Sequence, residues 1–388
     1  MLLFWVTLLI ICLYLESINQ EHFNNESNII HEIESDIFYS RNSNCAYMMN
    51  ATLSNVLEKN NIQYNQDIDK WSLYFPCTYN NIDEEIRNIH PNIENLENRR
   101  YFIIDNADEV SSKDQTWKNL VLMYGRDIAS SIMPMTYVLY DSPDIDLFKK
   151  EYRDGDLFIL KKNIQRQEGL KITNDKNTVL NGFNDNYIIA QKLLQDPYLI
   201  NGRKINMRFY LLLVCNKGHI EAYVHHEGFM YYTKELFVKN NDSIGVNVTT
   251  GYIDRKIYQE NPLTHGDFRR YLDDPDRKIS DIEKNIKTNH LLSRYVFDKI
   301  YFVLRQTVLA LESKICKGKL KSYITFQLFG VDIAVSDTFN INLMEINKGP
   351  DMGAKDDRDY GIKYLVTEDV LRIIGAITTG IPSFRRIV

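Results

Sequence analysis

The chain has 388 residues, of which 44% are hydrophobic and 25% charged, with a formal net charge of −6 and a pI of about 5.8. These values are typical of a folded globular protein, and the length predicts two or three lobes rather than one simple core. Because no basic field covers the chain, the composition argues against a nucleic acid partner.

The chain begins with an apolar segment, MLLFWVTLLIICLYL, in which Thr7 is the one polar residue. Its length matches the apolar part of a signal peptide and falls short of a transmembrane span of about 20 residues. We predict a signal or anchor segment over residues 1–20, which would make the protein membrane-associated, and a polar linker over residues 21–44. A buried terminal segment is the alternative.

The five cysteines show neither a CxxC motif nor metal-ligand spacing. Cys12 lies in the apolar segment. The other four could pair, but their wide separation in sequence fits ordinary buried thiols better. We therefore predict free thiols at Cys45, Cys77, Cys215 and Cys316.

The remaining chain mixes helical and strand-like patterns, which predicts an α/β (α+β) fold. A helix is expected over about 113–131, a strand at 157–163, an apolar strand at 208–214 and a long helix over about 289–316. The predicted lobes are an N-terminal α/β lobe over 45–99, a central lobe over 100–195 and a C-terminal lobe over 196–388.

Two apolar runs near the C-terminus predict a β-hairpin: FGVDIAV (Phe329–Val335) and NLMEIN (Asn342–Asn347). Because side chains alternate along a strand, the hairpin brings Glu345 and Asn347 opposite Asp332, with Cβ atoms about 5 Å apart. Two converging carboxylates are costly unless a cation neutralises them, and Mg²⁺ is the usual one. Surface acids on an edge hairpin are the alternative, but the apolar neighbours indicate burial, and buried acids are rarely unpaired.

FGVDIAV followed by MEINKGPDM resembles the C-terminal block of the tubulin-tyrosine ligase-like enzymes, which are ATP-grasp ligases. Further segments resemble other blocks of that family in the same order: IMPMTYVLYD, LFILKKN, IIAQKLLQDPYLINGRKINMRFYLLLV and HHEGFMYYT. The resemblance covers most of the chain after about residue 50. It implies an ATP-grasp fold with a nucleotide cleft between two α+β lobes, plus the small N-terminal lobe.

The resemblance assigns the nucleotide-binding residues. Lys161 ends a strand and would reach the ATP phosphates as a point charge. The next loop would cover those phosphates. It keeps one of the family's two glycines, and Arg166 could supply donors instead. The segment Gln191-Lys192-Leu193-Leu194 resembles the adenine-binding segment, where the ring needs an apolar slot with a few placed donors.

The segment RKINMR resembles the family's RKFDIR, and alternation places Lys204, Asn206 and Arg208 on one face. Two cations there would bind ATP phosphates or the acceptor carboxylate. Asn206 stands where the family has Asp. His226 stands where the family has Arg, and it would stabilise transferring phosphate only when protonated. Lys161, Arg208 and His226 form the expected catalytic set, and Asp332 serves both nucleotide and metal.

The resemblance implies that ATP activates a carboxylate as an acyl phosphate, which an amine converts to an amide. Mg²⁺ would be held by Asp332, Glu345 and Asn347. The implied partners are a free amino acid and a protein acceptor, with tubulin one candidate, and a monomer is expected. Access to ATP favours the cytosolic side of a membrane. Two alternatives stay open: a pseudo-ligase that binds nucleotide without ligation, and a membrane-tethered binding module on the same fold.

Overall fold

The computed structural model describes residues 36–42, 45, 48–67, 70–77, 85, 99–164, 169–250, 255–317 and 324–388. The predicted segment 1–20 and Arg166 lie outside these ranges. No helix within them is long and apolar enough to cross a bilayer. This finding corrects the prediction of membrane association.

The described chain contains both strands and helices, which confirms the α/β class. The strands are β1 (Phe38–Arg41), β2 (Gln63–Tyr64), β3 (Leu73–Phe75), β4 (Arg100–Phe102), β5 (Thr136–Val138), β6 (Phe158–Lys161), β7 (Leu170–Thr173), β8 (Ile189–Lys192), β9 (Leu199–Ile200), β10 (Arg203–Asn216), β11 (His219–His225), β12 (Phe229–Thr233), β13 (Thr249–Thr250), β14 (Ile324–Val335), β15 (Ile341–Asn347) and β16 (Phe384–Arg386).

The helices fall mainly between strands. They are α1 (Ala51–Lys59), α2 (Ala107–Ser111), α3 (Lys113–Tyr124), α4 (Arg126–Ile132), α5 (Ser142–Glu151), α6 (Lys176–Leu180), α7 (Ile244–Asn247), α8 (Arg255–Glu260), α9 (His265–Asp273), α10 (Asp281–Lys287), α11 (Leu292–Leu311) and α12 (Asp357–Ile373), with a 3₁₀ helix at Gly182–Asp185. The long helix expected over 289–316 is α11. The helix expected over 113–131 is interrupted at Gly125, whose φ of 77° suits glycine, so α3 and α4 are separate.

The described strands form two sheets. The larger has the order β13-β12-β10-β14-β4-β3-β1-β2, with β9 and β11 also on β10, β15 on β14 and β16 on β11. The smaller has the order β5-β8-β6-β7. Because β4 pairs in parallel with both β3 and β14, the N-terminal strands continue the large sheet rather than form one of their own. The lobe boundaries themselves remain a prediction.

The longest strand, β10, has a different neighbour on each face. Its residues Ile205, Met207 and Phe209 lie in a core that includes the apolar stripe of α11. On the other face, Tyr210, Leu212 and Val214 pack in a core with α12. The positions before Tyr210 on that second face are Lys204, Asn206 and Arg208. Lys204 contacts the segment that follows β8, and Arg208 contacts β14.

The four cysteines that the structure describes are all paired. Cys45 bonds Cys77 and Cys215 bonds Cys316, across sequence separations of 32 and 101 residues. The prediction of free thiols is therefore wrong. Pairing requires Cα atoms within about 7 Å, which depends on the tertiary fold and not on spacing along the chain.

Candidate active site

The β14–β15 hairpin places the three predicted metal ligands on one face. Asp332 lies directly opposite Glu345, and Gly330 lies opposite Asn347. The pairing shifts after Asp332, where Ile333 pairs with Leu343, so Met344 is the extra residue of a β-bulge. The register therefore produces the convergence of carboxylates and amide that alternation predicts.

Arg208 lies opposite Asp332 on the neighbouring strand β10. Its guanidinium donates two hydrogen bonds to that carboxylate, from Nε to Oδ1 at 2.6 Å and from NH2 to Oδ2 at 3.0 Å. Burial raises the pKa of Asp332, and the charge of Arg208 opposes this rise. The two side chains form a bidentate ion pair across the neighbouring strands β10 and β14.

Glu345 has a cation of its own, which the sequence analysis missed. Lys113, the first residue of α3, places Nζ 3.0 Å from Glu345 Oε1 and 3.4 Å from the carbonyl oxygen of Ile164. Lys113 is buried although it lies at a helix start in a polar stretch of sequence. No local pattern distinguishes it from a solvent-exposed lysine, so only the tertiary fold reveals it.

Lys161 connects the small sheet to the hairpin. It is buried, and its Nζ donates to Gln191 Oε1 at 2.7 Å and to the carbonyl oxygen of Met344 at 3.4 Å. Burial lowers the pKa of Lys161 to about 8, against the opposing charge of Glu345. Gln191 is also fully buried and donates to Thr136 Oγ1 at 3.0 Å. The predicted phosphate lysine therefore lies within the electrostatic field of the hairpin.

The segment that follows β8 contacts Lys204 of β10 through its backbone. Lys204 Nζ donates to the carbonyl oxygen of Leu194 at 3.4 Å, and burial lowers the pKa of Lys204 to about 8. Leu193 is buried in an apolar cluster with residues of β6 and β7. The Lys192 ammonium has a different partner, since its Nζ lies 3.2 Å from Asp156 Oδ2. An apolar patch with adjacent polar backbone is what an adenine ring requires.

His226 lies in the turn between β11 and β12, three residues before Phe229, which pairs with Arg208 of β10. Its backbone N–H donates to Ser383, and its carbonyl oxygen accepts from Arg269 of α9. Burial, and then the charge of Arg269, lowers the pKa of His226 to about 4. His226 is therefore neutral near pH 7, and it lacks the positive charge that an arginine at this position would carry.

The donor set at the hairpin fits a magnesium ion. The protein offers the carboxylates of Asp332 and Glu345, the amide of Asn347 and, nearby, Asn206 Oδ1, which is buried without a hydrogen-bond partner in the described chain. Across the described ranges, no three His, Cys, Asp or Glu side chains gather into a metal-binding group. Mg²⁺ does not need such a group, because it takes one or two carboxylates and completes its shell with phosphate oxygens and water.

The charges around the hairpin also fit a polyphosphate. Cationic side chains outnumber the two carboxylates there, and they are Lys113, Lys161, Lys204 and Arg208. Asp332 and Glu345 neutralise Arg208 and Lys113, so the two buried lysines remain as excess positive charge.

Comparison with known proteins supports the family resemblance. The model of the tubulin-tyrosine ligase family matches residues 80–384. A rat protein named probable tubulin polyglutamylase TTLL9 is 28% identical over 198 residues, which is 49% of this chain and 39% of the rat protein. A mouse protein named tubulin polyglutamylase TTLL7 is 22% identical over 293 residues, covering 70% of this chain and 31% of the mouse protein.

A human protein named inactive polyglycylase TTLL10 is 25% identical over 169 residues, which is 42% of this chain and 23% of that protein. The chain therefore spans less than half the length of each of these three relatives. The family match is longer, because it covers the central and C-terminal elements, including the small sheet and the β14–β15 hairpin. By this match the chain belongs to the tubulin-tyrosine ligase family, within the ATP-grasp superfamily.

Proposed function

We propose that the protein is an ATP- and Mg²⁺-dependent ligase that joins an amino acid to a protein through an amide bond. The observation that carries this proposal is the meeting of Asp332 and Glu345 with Arg208, Lys113 and Lys161 between the two sheets. The names of the relatives support it, since polyglutamylases and polyglycylases add amino acids to proteins.

Each part of the cluster has a role in this proposal. The backbone of Gln191 to Leu194 and the apolar side chain of Leu193 would hold adenine. Lys161, Lys204 and Asn206 would hold the ATP phosphates, and Arg166 remains a predicted donor of the covering loop. Asp332, Glu345 and Asn347 would hold Mg²⁺, which when bound neutralises phosphate charge.

The reaction needs positioning and charge stabilisation from the protein and no nucleophilic side chain. A substrate carboxylate attacks the γ-phosphate and forms an acyl phosphate, with ADP as the leaving group. An amine then attacks the acyl carbon, and phosphate leaves as the amide forms. Lys113, Lys161 and Arg208 would stabilise the negative charge that moves between the reacting oxygens.

The relatives suggest the first substrates to test. Glutamate and glycine are the amino acids implied by their names, and tubulin is the acceptor that the polyglutamylase names contain. His226 supplies no cation to the proposed chemistry, because burial and the charge of Arg269 lower the pKa of its ring to about 4.

The purified chain is to be incubated with ATP, Mg²⁺, isotope-labelled amino acids and candidate protein acceptors, followed by mass spectrometry of the acceptors. We expect ATP-dependent addition of one labelled amino acid species, together with ADP. Asp332→Asn should abolish the addition. Asp337→Asn is the matched control, because Asp337 is an exposed acid in the turn of the same hairpin. Equal activity of the two variants would contradict the assignment of the site.

A nucleotide-binding pseudo-ligase is the second candidate. It is favoured by the similarity to a human protein named inactive polyglycylase TTLL10. Asn206, where the family has Asp, is a further departure. This candidate predicts Mg²⁺-dependent ATP binding with neither ADP formation nor amino acid addition, whereas the ligase predicts all three.

A further inference from the structure

We propose that this protein forms two disulfides in an oxidising compartment and that its acceptor is a protein of the same compartment. The second part rests on the ligase function proposed above, whereas the first stands on the disulfides alone. Every cysteine of the described chain is engaged, Cys45 with Cys77 and Cys215 with Cys316.

The Cys215–Cys316 bond lies in the protein interior. Cys215 is near the end of β10, opposite Thr325 of β14 and Ile220 of β11, and Cys316 lies in the turn after α11. Both cysteines are at most 2% exposed, and their Cα atoms are 5.3 Å apart. Cys316 adopts a left-handed backbone with φ of 61°, which is unfavourable for a residue with a Cβ. The bond ties the turn after α11 to β10, the strand that also carries Arg208.

The Cys45–Cys77 bond lies nearer the surface. Both residues are partly exposed, and their Cα atoms are 5.1 Å apart. The bond closes a loop of chain that contains α1, β2 and β3, so it fastens the segment after β1 to the segment after β3. A partly exposed disulfide is accessible to glutathione and thioredoxin, which keep cytosolic thiols reduced.

The pairing of all four cysteines in the described part of the chain indicates the compartment. Stable structural disulfides form in secretory, periplasmic and extracellular environments and are rare in cytosolic proteins. Each bond forms when two thiols give two protons and two electrons to the disulfide of a thiol–disulfide oxidoreductase, which becomes a dithiol. The compartment that supplies this oxidant also supplies the acceptor, which is therefore a disulfide-compatible secretory protein rather than a cytosolic one such as tubulin.

The test uses the full chain with its sequence unchanged, expressed in eukaryotic cells. The cells are lysed in an excess of alkylating agent. Peptide mapping without reductant should find the peptide of Cys45 cross-linked to that of Cys77, and the peptide of Cys215 cross-linked to that of Cys316. The mass of each cross-linked pair should be two hydrogen masses below the sum of its two free peptides. Alkylated thiols at all four positions would overturn the proposal.

Two further measurements separate the parts of the proposal. Dithiothreitol should lower the melting temperature of the wild-type protein. It should not change the melting temperature of a variant in which all four cysteines are replaced by alanine. An unchanged melting temperature of the wild-type protein would contradict a structural role for the bonds. In the ligase assay, secretory proteins should be modified and cytosolic proteins not. Modification of cytosolic tubulin alone overturns the acceptor assignment, whereas intact disulfides without any ligation overturn the ligase function and spare the compartment.

Discussion

The Arg208–Asp332 ion pair gives the sharpest prediction about the energetics of the candidate active site. Its two hydrogen bonds, at 2.6 and 3.0 Å, join side chains that are only 15% and 16% exposed. Arg208→Met keeps much of the side-chain volume but leaves the Asp332 carboxylate without its cation, directly opposite Glu345. Removing one partner of a buried ion pair costs about 3–5 kcal/mol, so we expect the free energy of unfolding to fall by that amount.

The assay is urea unfolding at pH 7 with and without Mg²⁺. Because Mg²⁺ would replace the missing positive charge, it should restore more stability to Arg208→Met than it adds to the wild type. The double variant Arg208→Met/Asp332→Asn should recover much of the loss and lose the response to Mg²⁺. Arg277→Met is the matched control, since Arg277 forms a similarly buried pair with Glu283 at 2.6 Å, outside the cluster.

The control should lose stability and show no response to Mg²⁺. The reasoning would be refuted if Arg208→Met lost less than about 1 kcal/mol, which is the size of an exposed ion pair. It would also be refuted if Mg²⁺ stabilised the Arg208 and Arg277 variants equally, because the orphaned carboxylate would then not belong to a cation site.

The remaining predictions concern protonation and cross-links. Burial lowers the pKa values of Lys161 and Lys204 to about 8, so both side chains lose their positive charge as pH rises through that value. ATP affinity measured by calorimetry should therefore fall from pH 7 to 9. Lys161→Arg should make this fall smaller. With its pKa lowered to about 4, His226 is neutral throughout this range, so His226→Ala should leave turnover and its pH profile unchanged, and loss of the profile's alkaline limb would contradict this. Replacing Cys215 and Cys316 together by alanine should lower the free energy of unfolding by about 4–5 kcal/mol, as expected for a loop of 101 residues; an unchanged urea midpoint would show that the bond does not form.

Local sequence patterns predicted much of the arrangement of the candidate site. The alternation of side chains in β14 and β15 predicted that Asp332, Glu345 and Asn347 share a face, and the same rule grouped Lys204, Asn206 and Arg208 on β10. These predictions succeed because face sharing in a strand depends only on neighbours in sequence.

Features that depend on tertiary structure could not be predicted from the sequence. Lys113 lies at the start of α3 and meets Glu345 only because α3 packs beside the hairpin. The partners of Cys215 and Cys45 lie 101 and 32 residues away, so spacing could not identify them. The parallel pairing of β4 with β14, which joins the N-terminal strands to the large sheet, has no local signal either.

Mg²⁺-dependent binding of ATP to the purified chain tests the central claim most directly. Calorimetry with and without Mg²⁺ should show that the metal strengthens ATP binding, and Glu345→Gln should remove most of that gain, while Glu58→Gln, at an exposed glutamate on α1, should leave it intact. Equal ATP affinity with and without Mg²⁺, or an unchanged response in Glu345→Gln, would contradict the assignment of the β14–β15 hairpin as the metal and nucleotide site.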